Sequence, residues 1–251
     1  MQPILEIRHL SVSVENKLLL KDISLSIPEG QTHVLFGPNG SGKSSLMLTL
    51  MGFPQYRIEE GQILFKGKDI THSSPSERSA LGMGIAFQSP PAIKGLKLEN
   101  LVSEIASRFY PEFVLEDASR ELSMESYLHR DVNHGFSGGE RKRSEILQLS
   151  AQNPDLILLD EPESGVDIEN MKTIGEAIRN ILHRGAREKR TKSAFIITHT
   201  GYILDYLAAD WGYVLVDGQI QCENNPYELL RLIEINGFQF CETCELSKNK
   251  E

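Results

Sequence analysis

Apolar and polar positions alternate along residues 4–14 and again along 18–27, the period-two pattern of strands with one buried face. Glu15-Asn16-Lys17 between them is turn chemistry, and Pro28-Glu29-Gly30 closes the second run. Together they predict an antiparallel β layer. The pattern then changes. Thr32-His33-Val34-Leu35-Phe36, Gly84-Ile85-Ala86-Phe87, Leu156-Ile157-Leu158-Leu159 and Ala194-Phe195-Ile196-Ile197-Thr198 are short runs with little or no polar interruption. Such runs suit strands buried on both faces of a parallel sheet. Between them the spacing predicts helices over 45–51, 76–81, 141–150, 167–183 and 226–235. Gly61 to Phe65 is a further short strand, with a loop over 53–57 before it and a turn at Lys66-Gly67-Lys68-Asp69 after it. Tyr213 to Val216 and Gln219 to Gln221 flank Asp217-Gly218, the signal of a type I′ hairpin.

Strands alternating with helices predict an α/β fold built on a mostly parallel sheet. Residues 1–251 form a single domain in this reading. The core and its antiparallel layer take 1–94 and 151–235, a helical lobe takes about 95–150, and a tail about 236–251. Ligands of such sheets sit outside the carboxyl ends of the strands.

The first of those ends carries Gly37-Pro38-Asn39-Gly40-Ser41-Gly42-Lys43-Ser44, which fits the phosphate-cradling pattern G-x-x-x-x-G-K-[ST]. Strand and helix stand on its two sides, so backbone N–H groups and the helix dipole point at one anion. Lys43 reaches the β- and γ-phosphates of a nucleotide, Ser45 follows at the helix start, and the Ser44 hydroxyl holds Mg²⁺. Asp160 ends the third buried run, where a carboxylate completes the shell of that cation. Glu161 beside it is placed to orient or deprotonate an attacking water. Gln88 and His199 each follow a strand and fall on the same edge. Ser137 caps a strongly patterned helix behind Gly138, Gly139 and Glu140, which makes a second anion site. One triphosphate does not need two such sites in one chain, so the second serves the nucleotide of another copy.

These motifs resemble the ATP-binding-cassette (ABC) ATPase family, and the resemblance covers nearly the whole chain. Gly37–Ser44 is similar to its Walker A, Gln88 to its Q-loop, Ser137–Glu140 to its signature and Leu156–Glu161 to its Walker B. Ser164-Gly165-Val166-Asp167 is similar to its D-loop and His199 to its switch histidine. The resemblance implies ATP and Mg²⁺, with Gln88 on Mg²⁺ or the attacking water and His199 on the γ-phosphate. It also implies a head-to-tail dimer with a second copy, in which Ser137, Gly138, Gly139, Glu140 and Asp167 approach the partner's nucleotide. Within the family, residues 132–143, Glu145-Ile146-Leu147-Gln148, residues 56–61, 65–70 and Ile203-Leu204-Asp205-Tyr206 resemble the branch that serves Suf iron–sulfur cluster assembly. A SufB/SufD-like scaffold is the partner this implies. Two features depart from family patterns. Pro162 stands where the Suf branch usually has Ser, and Val12-Ser13-Val14 lacks the aromatic on which transporter cassettes stack adenine. The loss of that contact predicts weaker or less selective base binding.

Composition narrows the alternatives. The chain of 251 residues carries a formal charge of −9, which disfavours nucleic acid and anionic membranes as partners. No apolar run approaches the roughly 20 residues that span a bilayer, and the start lacks the pattern of a signal peptide. The three cysteines all lie after residue 221 and make no disulfide framework. The expected location is the cytoplasm. Arg184 to Lys192 reads as a solvated connection. Cys241-Glu242-Thr243-Cys244 is a C-x-x-C pair that suits a metal or cluster contact, a redox pair, or two free thiols. The catalytic motifs alone fit a membrane transporter's ATPase subunit equally well. A DNA-maintenance ATPase would need long coiled-coil heptads, and none are present.

Overall fold

The computed structural model describes residues 3–183 and 190–238. The Cys241–Cys244 pair and most of the basic connection lie outside the described residues. Two sheets organise the rest. Strands β1 (Pro3–Val14), β2 (Lys17–Pro28), β4 (Arg57–Phe65) and β5 (Lys68–Asp69) form an antiparallel sheet in the order β2-β1-β4-β5. The second sheet contains β3 (Thr32–Phe36), β6 (Met83–Ala86), β7 (Leu156–Asp160), β8 (Ser193–Ile197), β9 (Trp211–Val216) and β10 (Gln219–Asn224). Its order is β10-β9-β3-β8-β7-β6, parallel throughout except for the edge strand β10.

Every residue of β3, β7 and β8 is buried, and alternate residues go to opposite faces. Val34, Phe36, Ile157, Leu159, Ala194 and Ile196 face a core shared with helices α3 (Leu98–Phe109), α5 (Gly138–Gln152) and α6 (Ile168–His183). Leu35, Leu156, Leu158, Phe195 and Ile197 face the antiparallel sheet and α1 (Lys43–Leu50). Helices α2 (Pro75–Ala80), α4 (Leu115–Glu121) and α7 (Pro226–Asn236) complete the set.

Several boundaries differ from the sequence expectation. The phosphate-loop helix starts at Lys43, two residues early, because Gly42 takes the N-cap at φ 104°, a conformation that only glycine adopts freely. Strand β4 starts at Arg57 rather than Gly61, since Ser11, Val12 and Ser13 of β1 offer it partners. The signature helix runs from Gly138 to Gln152, longer than the apolar pattern shows. The hairpin is as expected: Asp217 and Gly218 both have positive φ, 49° and 77°.

Two buried titratable side chains stand out, Arg78 and His33. The Arg78 guanidinium is 1% exposed and donates to the carbonyls of Thr49, Leu50, Thr71 and Ser73. It thereby satisfies the C-terminal end of α1, whose last carbonyls have no helical partner. His33, at the start of β3, is 2% exposed and its Nε2 lies 2.8 Å from Gln31 Oε1. Burial pulls its pKa down from 6.5 to about 4. The neutral imidazole is therefore the folded form. Between pH 6.5 and 4 the unfolded chain takes up a proton that the folded chain refuses, so stability falls as pH falls through that window. The melting temperature should drop on acidification across it, with a limiting contribution of about 3 kcal/mol. His33→Leu should flatten that part of the profile.

Candidate active site

Four strands of the parallel sheet deliver their following residues to one edge. β3 runs into Gly37, β6 into Phe87 and Gln88, β7 into Glu161, and β8 into Thr198 and His199. A cleft of about 620 Å³ opens there, lined by Asn39, Gly40, Gly42, Lys43, Ser44 and Ser45 from the phosphate loop and α1. Gln88, Glu161, Ser164 and His199 line the other side. The sequence assigned all of these except Ser164 a direct role.

The phosphate loop is tightly built. A Cβ on Gly37 would stand 2.3 Å from the Leu215 carbonyl oxygen, so only glycine fits. Lys43 is 5% exposed, and its ammonium donates to the carbonyls of Gly37 and Pro38 at 2.8 and 3.0 Å. Burial lowers its pKa, against the opposing pull of Glu161 and Asp160. The lysine is thus held inside the loop that it serves. Ser41 is buried with its hydroxyl unpaired among the described residues.

Glu161 is the centre of the polar group at this edge. Its backbone is left-handed, φ 47°, immediately after a fully buried strand. A non-glycine residue in that region costs on the order of 1 kcal/mol or more, here offset by surrounding bonds. Its N–H donates to the Ile197 carbonyl and its carbonyl accepts from Ser164. The side chain is clasped at both oxygens. Gln88 Nε2 donates to Oε2 at 2.6 Å, and His199 Nδ1 lies 3.2 Å from Oε1. Gln88 therefore turns its amide to Glu161.

Asp160 is 6% exposed, and its Oδ1 has no hydrogen-bond partner among the described residues. Burial raises its pKa, and a bond from Ser44 opposes the rise. A buried, unpaired carboxylate oxygen next to a serine hydroxyl fits a hard divalent cation, which prefers oxygen donors.

Sequence reasoning missed three supports. Glu163 is 8% exposed and accepts from the hydroxyls of Thr198 and Thr200, which straddle His199. Lys142 and Glu145, both on α5, are 3% and 7% exposed. Glu145 Oε1 accepts from Phe87 N–H at 2.8 Å, and Lys142 donates to the Phe87 carbonyl and, at 3.5 Å, to the Asp160 carbonyl. Burial raises the Glu145 pKa to about 7 and lowers that of Lys142. Only their spacing on one helix face gave a signal: charged residues three apart whose side should have been apolar.

The predicted second anion site lies outside the cleft. Ser137 and Glu140 form a reciprocal capping box at the start of α5, and Tyr127 donates to Glu140 Oε1 at 2.7 Å. A Cβ on Gly138 would meet the Gly165 carbonyl oxygen at 2.6 Å, and one on Gly139 would meet Asn170 Nδ2 at 2.9 Å. The glycines therefore serve close packing against the start of α6, a role the sequence did not show. Asp167 also stays outside the cleft and caps α6 through Asn170 N–H at 2.8 Å.

The described residues lining the cleft include no Phe, Tyr or Trp; Leu19 supplies its apolar contact.

Fold and cleft define a P-loop ATPase. The profile of the family described as "ABC transporter" matches residues 20–164, and the chain belongs to that family, as an ABC-type ATPase. It is SufC-like: it is 38% identical over 247 residues to the probable ATP-dependent transporter SufC of Escherichia coli, covering 93% of this chain and 97% of that one. It is 35% identical over 260 residues to the probable ATP-dependent transporter ycf16 of Cyanophora paradoxa, covering 98% and 97%. A nucleotide-free ATP-binding cassette from an ABC transporter superposes with a TM-score of 0.76 at 26% identity, covering 97% of this chain and all of that one. The ADP conformation of the cassette MJ1267 gives 0.74 at 27%, covering 98% and 100%.

Hydrolysis should depend on this cleft. Lys43→Ala should weaken nucleotide binding. Glu161→Gln should retain binding and lower kcat by about 100-fold or more, because shape remains while the base or water-orienting group is lost. Titration with a fluorescent ATP analogue and steady-state phosphate release check both. Wild-type turnover in Glu161→Gln would remove Glu161 from its role.

Proposed function

We propose that the chain is the Mg²⁺-dependent ATPase subunit of a Suf-type iron–sulfur cluster assembly system, acting in the cytoplasm. It dimerises on ATP and drives a shape change in a SufB/SufD-like scaffold. The observation that carries the mechanism is the clasp on Glu161, joined to the absence of Ser137 from the same cleft. The Suf assignment is supported by similarity to SufC over nearly the full length. No helix among the described residues is long and apolar enough to cross a membrane.

In this reading the phosphate loop and Lys43 bind the β- and γ-phosphates. Ser44, Asp160 and Gln88 would hold Mg²⁺, Gln88 after its amide leaves Glu161. When bound, that cation would supply charge neutralisation for the phosphates. Glu161, freed on that side, orients or deprotonates the attacking water, and His199 turns to the γ-phosphate. Each chain holds only half of the groups the triphosphate can use. The other half is the start of α5 on a second copy, where Ser137 and the helix dipole meet the γ-phosphate. The isolated chain is accordingly a slow enzyme.

The scaffold docks beside Gln88. Residues 89–93 take no regular structure, as Pro90 and Pro91 require. Ile93 is 41% exposed, and its N–H is tied to the Val132 carbonyl at 2.9 Å. A partner held there feels the state of Gln88 directly, which is the differential contact that coupling requires.

Light scattering should show a monomer without nucleotide and a dimer for Glu161→Gln with ATP and Mg²⁺. Mixing inactive Ser137→Arg with inactive Lys43→Ala should restore part of the activity, since a mixed dimer keeps one complete site. Failure of both would remove the second-copy mechanism. Ile93→Asp should weaken retention of the scaffold in a pull-down while leaving ATP affinity of the free subunit nearly unchanged. A folded Ile93→Asp chain that holds the scaffold as tightly as wild type would move the docking surface elsewhere. Co-purification of an integral membrane protein in place of the scaffold would favour a transporter role instead.

A further inference from the structure

Beside Gln88 lies a groove of about 230 Å³ with apolar walls that include Ile85, Phe87, Pro91, Ile93 and Phe109. Among the polar side chains that line it, beside Ser79, Gln148 and Gln152, are Glu145 and Asn133. They are 7% and 5% exposed. Each carries one acceptor with no hydrogen-bond partner among the described residues, Glu145 Oε2 and Asn133 Oδ1. Their other polar atoms are committed. Glu145 Oε1 accepts from Phe87 N–H, and Asn133 Nδ2 donates to the Pro91 carbonyl at 2.9 Å. The nearest cation, Lys142 Nζ, is 3.9 Å from Oε2 and donates instead to the carbonyls of Phe87 and Asp160. An unpaired buried acceptor costs about 1–3 kcal/mol, more when it is charged. Two of them on one apolar groove leave a place for a donor from outside.

We infer that the groove receives an apolar segment of a separate partner chain that carries one lysine or arginine, whose cation meets Glu145 Oε2 and Asn133 Oδ1. This rests on the proposed docking beside Gln88 and adds the chemistry of what docks. A cation is the complement of a carboxylate whose Oε2 has no hydrogen-bond partner among the described residues, in a chain of formal charge −9. A second copy is already assigned to the cleft, and the cleft and the groove share no lining residue. The arrangement also gives a short route between partner and catalyst. The same carboxylate that offers Oε2 to the groove holds Phe87 through Oε1. Phe87 precedes Gln88, and Gln88 holds Glu161.

The test places the photo-crosslinker p-benzoylphenylalanine at Ile93 of the full chain, in cells that make the Suf-type scaffold. The cross-linked peptide is mapped by mass spectrometry. A scaffold peptide with a lysine or arginine among apolar residues is expected. Changing that residue to Met in the scaffold should then weaken binding to the wild-type chain by about tenfold or more. It should weaken binding to Glu145→Gln by less than about threefold, since coupled partners are not additive. Glu145→Gln keeps an acceptor for Phe87 N–H, and Asn133→Leu provides a second background if that variant does not fold. A cross-linked peptide without a cation, a peptide from a second copy, or equal weakening in both backgrounds would overturn the inference while leaving the docking surface in place. No cross-link at all, with the scaffold still retained by Ile93→Asp, would overturn both.

Discussion

The clasp of Gln88 and His199 on the two oxygens of Glu161 is the contact on which the rest of the site depends. It exists because β6, β7 and β8 are adjacent and parallel, so the residues after them must emerge on one edge. The strands are adjacent because each is apolar on both sides and must be covered by two cores. Between their ends those strands are apolar, so the chemistry gathers where they stop. Glu161 accepts a left-handed backbone there, and bonds to Ile197 and Ser164 hold it in place.

A second constraint is that charges inside a protein need partners. Lys43 finds carbonyls of its own loop, Arg78 caps the end of α1, and Lys142 binds the carbonyls of Phe87 and Asp160. Each ties one element of the site to another. Lys142 and Glu145 connect the helix beginning at Ser137 to the residue before Gln88 and to the backbone of Asp160. A movement of α5 on meeting a second copy's nucleotide would thus be felt at the first copy's own cleft, without a long chain of intermediates.

Much of this was legible in the sequence because it is local. The pattern Gly37 to Ser44 between a buried strand and a helix, the Asp160-Glu161 pair at the end of an apolar run, and Asp217-Gly218 between two strands each state their geometry within a few residues. What was not legible depends on distant partners. Glu59 and Glu60 fall before the strand expected from Gly61, yet β1 supplies the pairing that extends β4 across them. Gly138 and Gly139 look like a bare helix start, but their missing side chains make room for Gly165 and Asn170. Lys142, Glu145 and Glu163 appear as ordinary surface charges until the fold buries them.

The central claim is that the cleft is half of a site and that the start of α5 on a second copy is the other half. A structure of Glu161→Gln with ATP and Mg²⁺ tests it most directly. The account predicts a head-to-tail dimer in which Ser137 of one copy lies about 3 Å from a γ-phosphate oxygen held by Lys43 of the other. A γ-phosphate contacted only by residues of its own chain, with Ser137 turned to solvent, would contradict it.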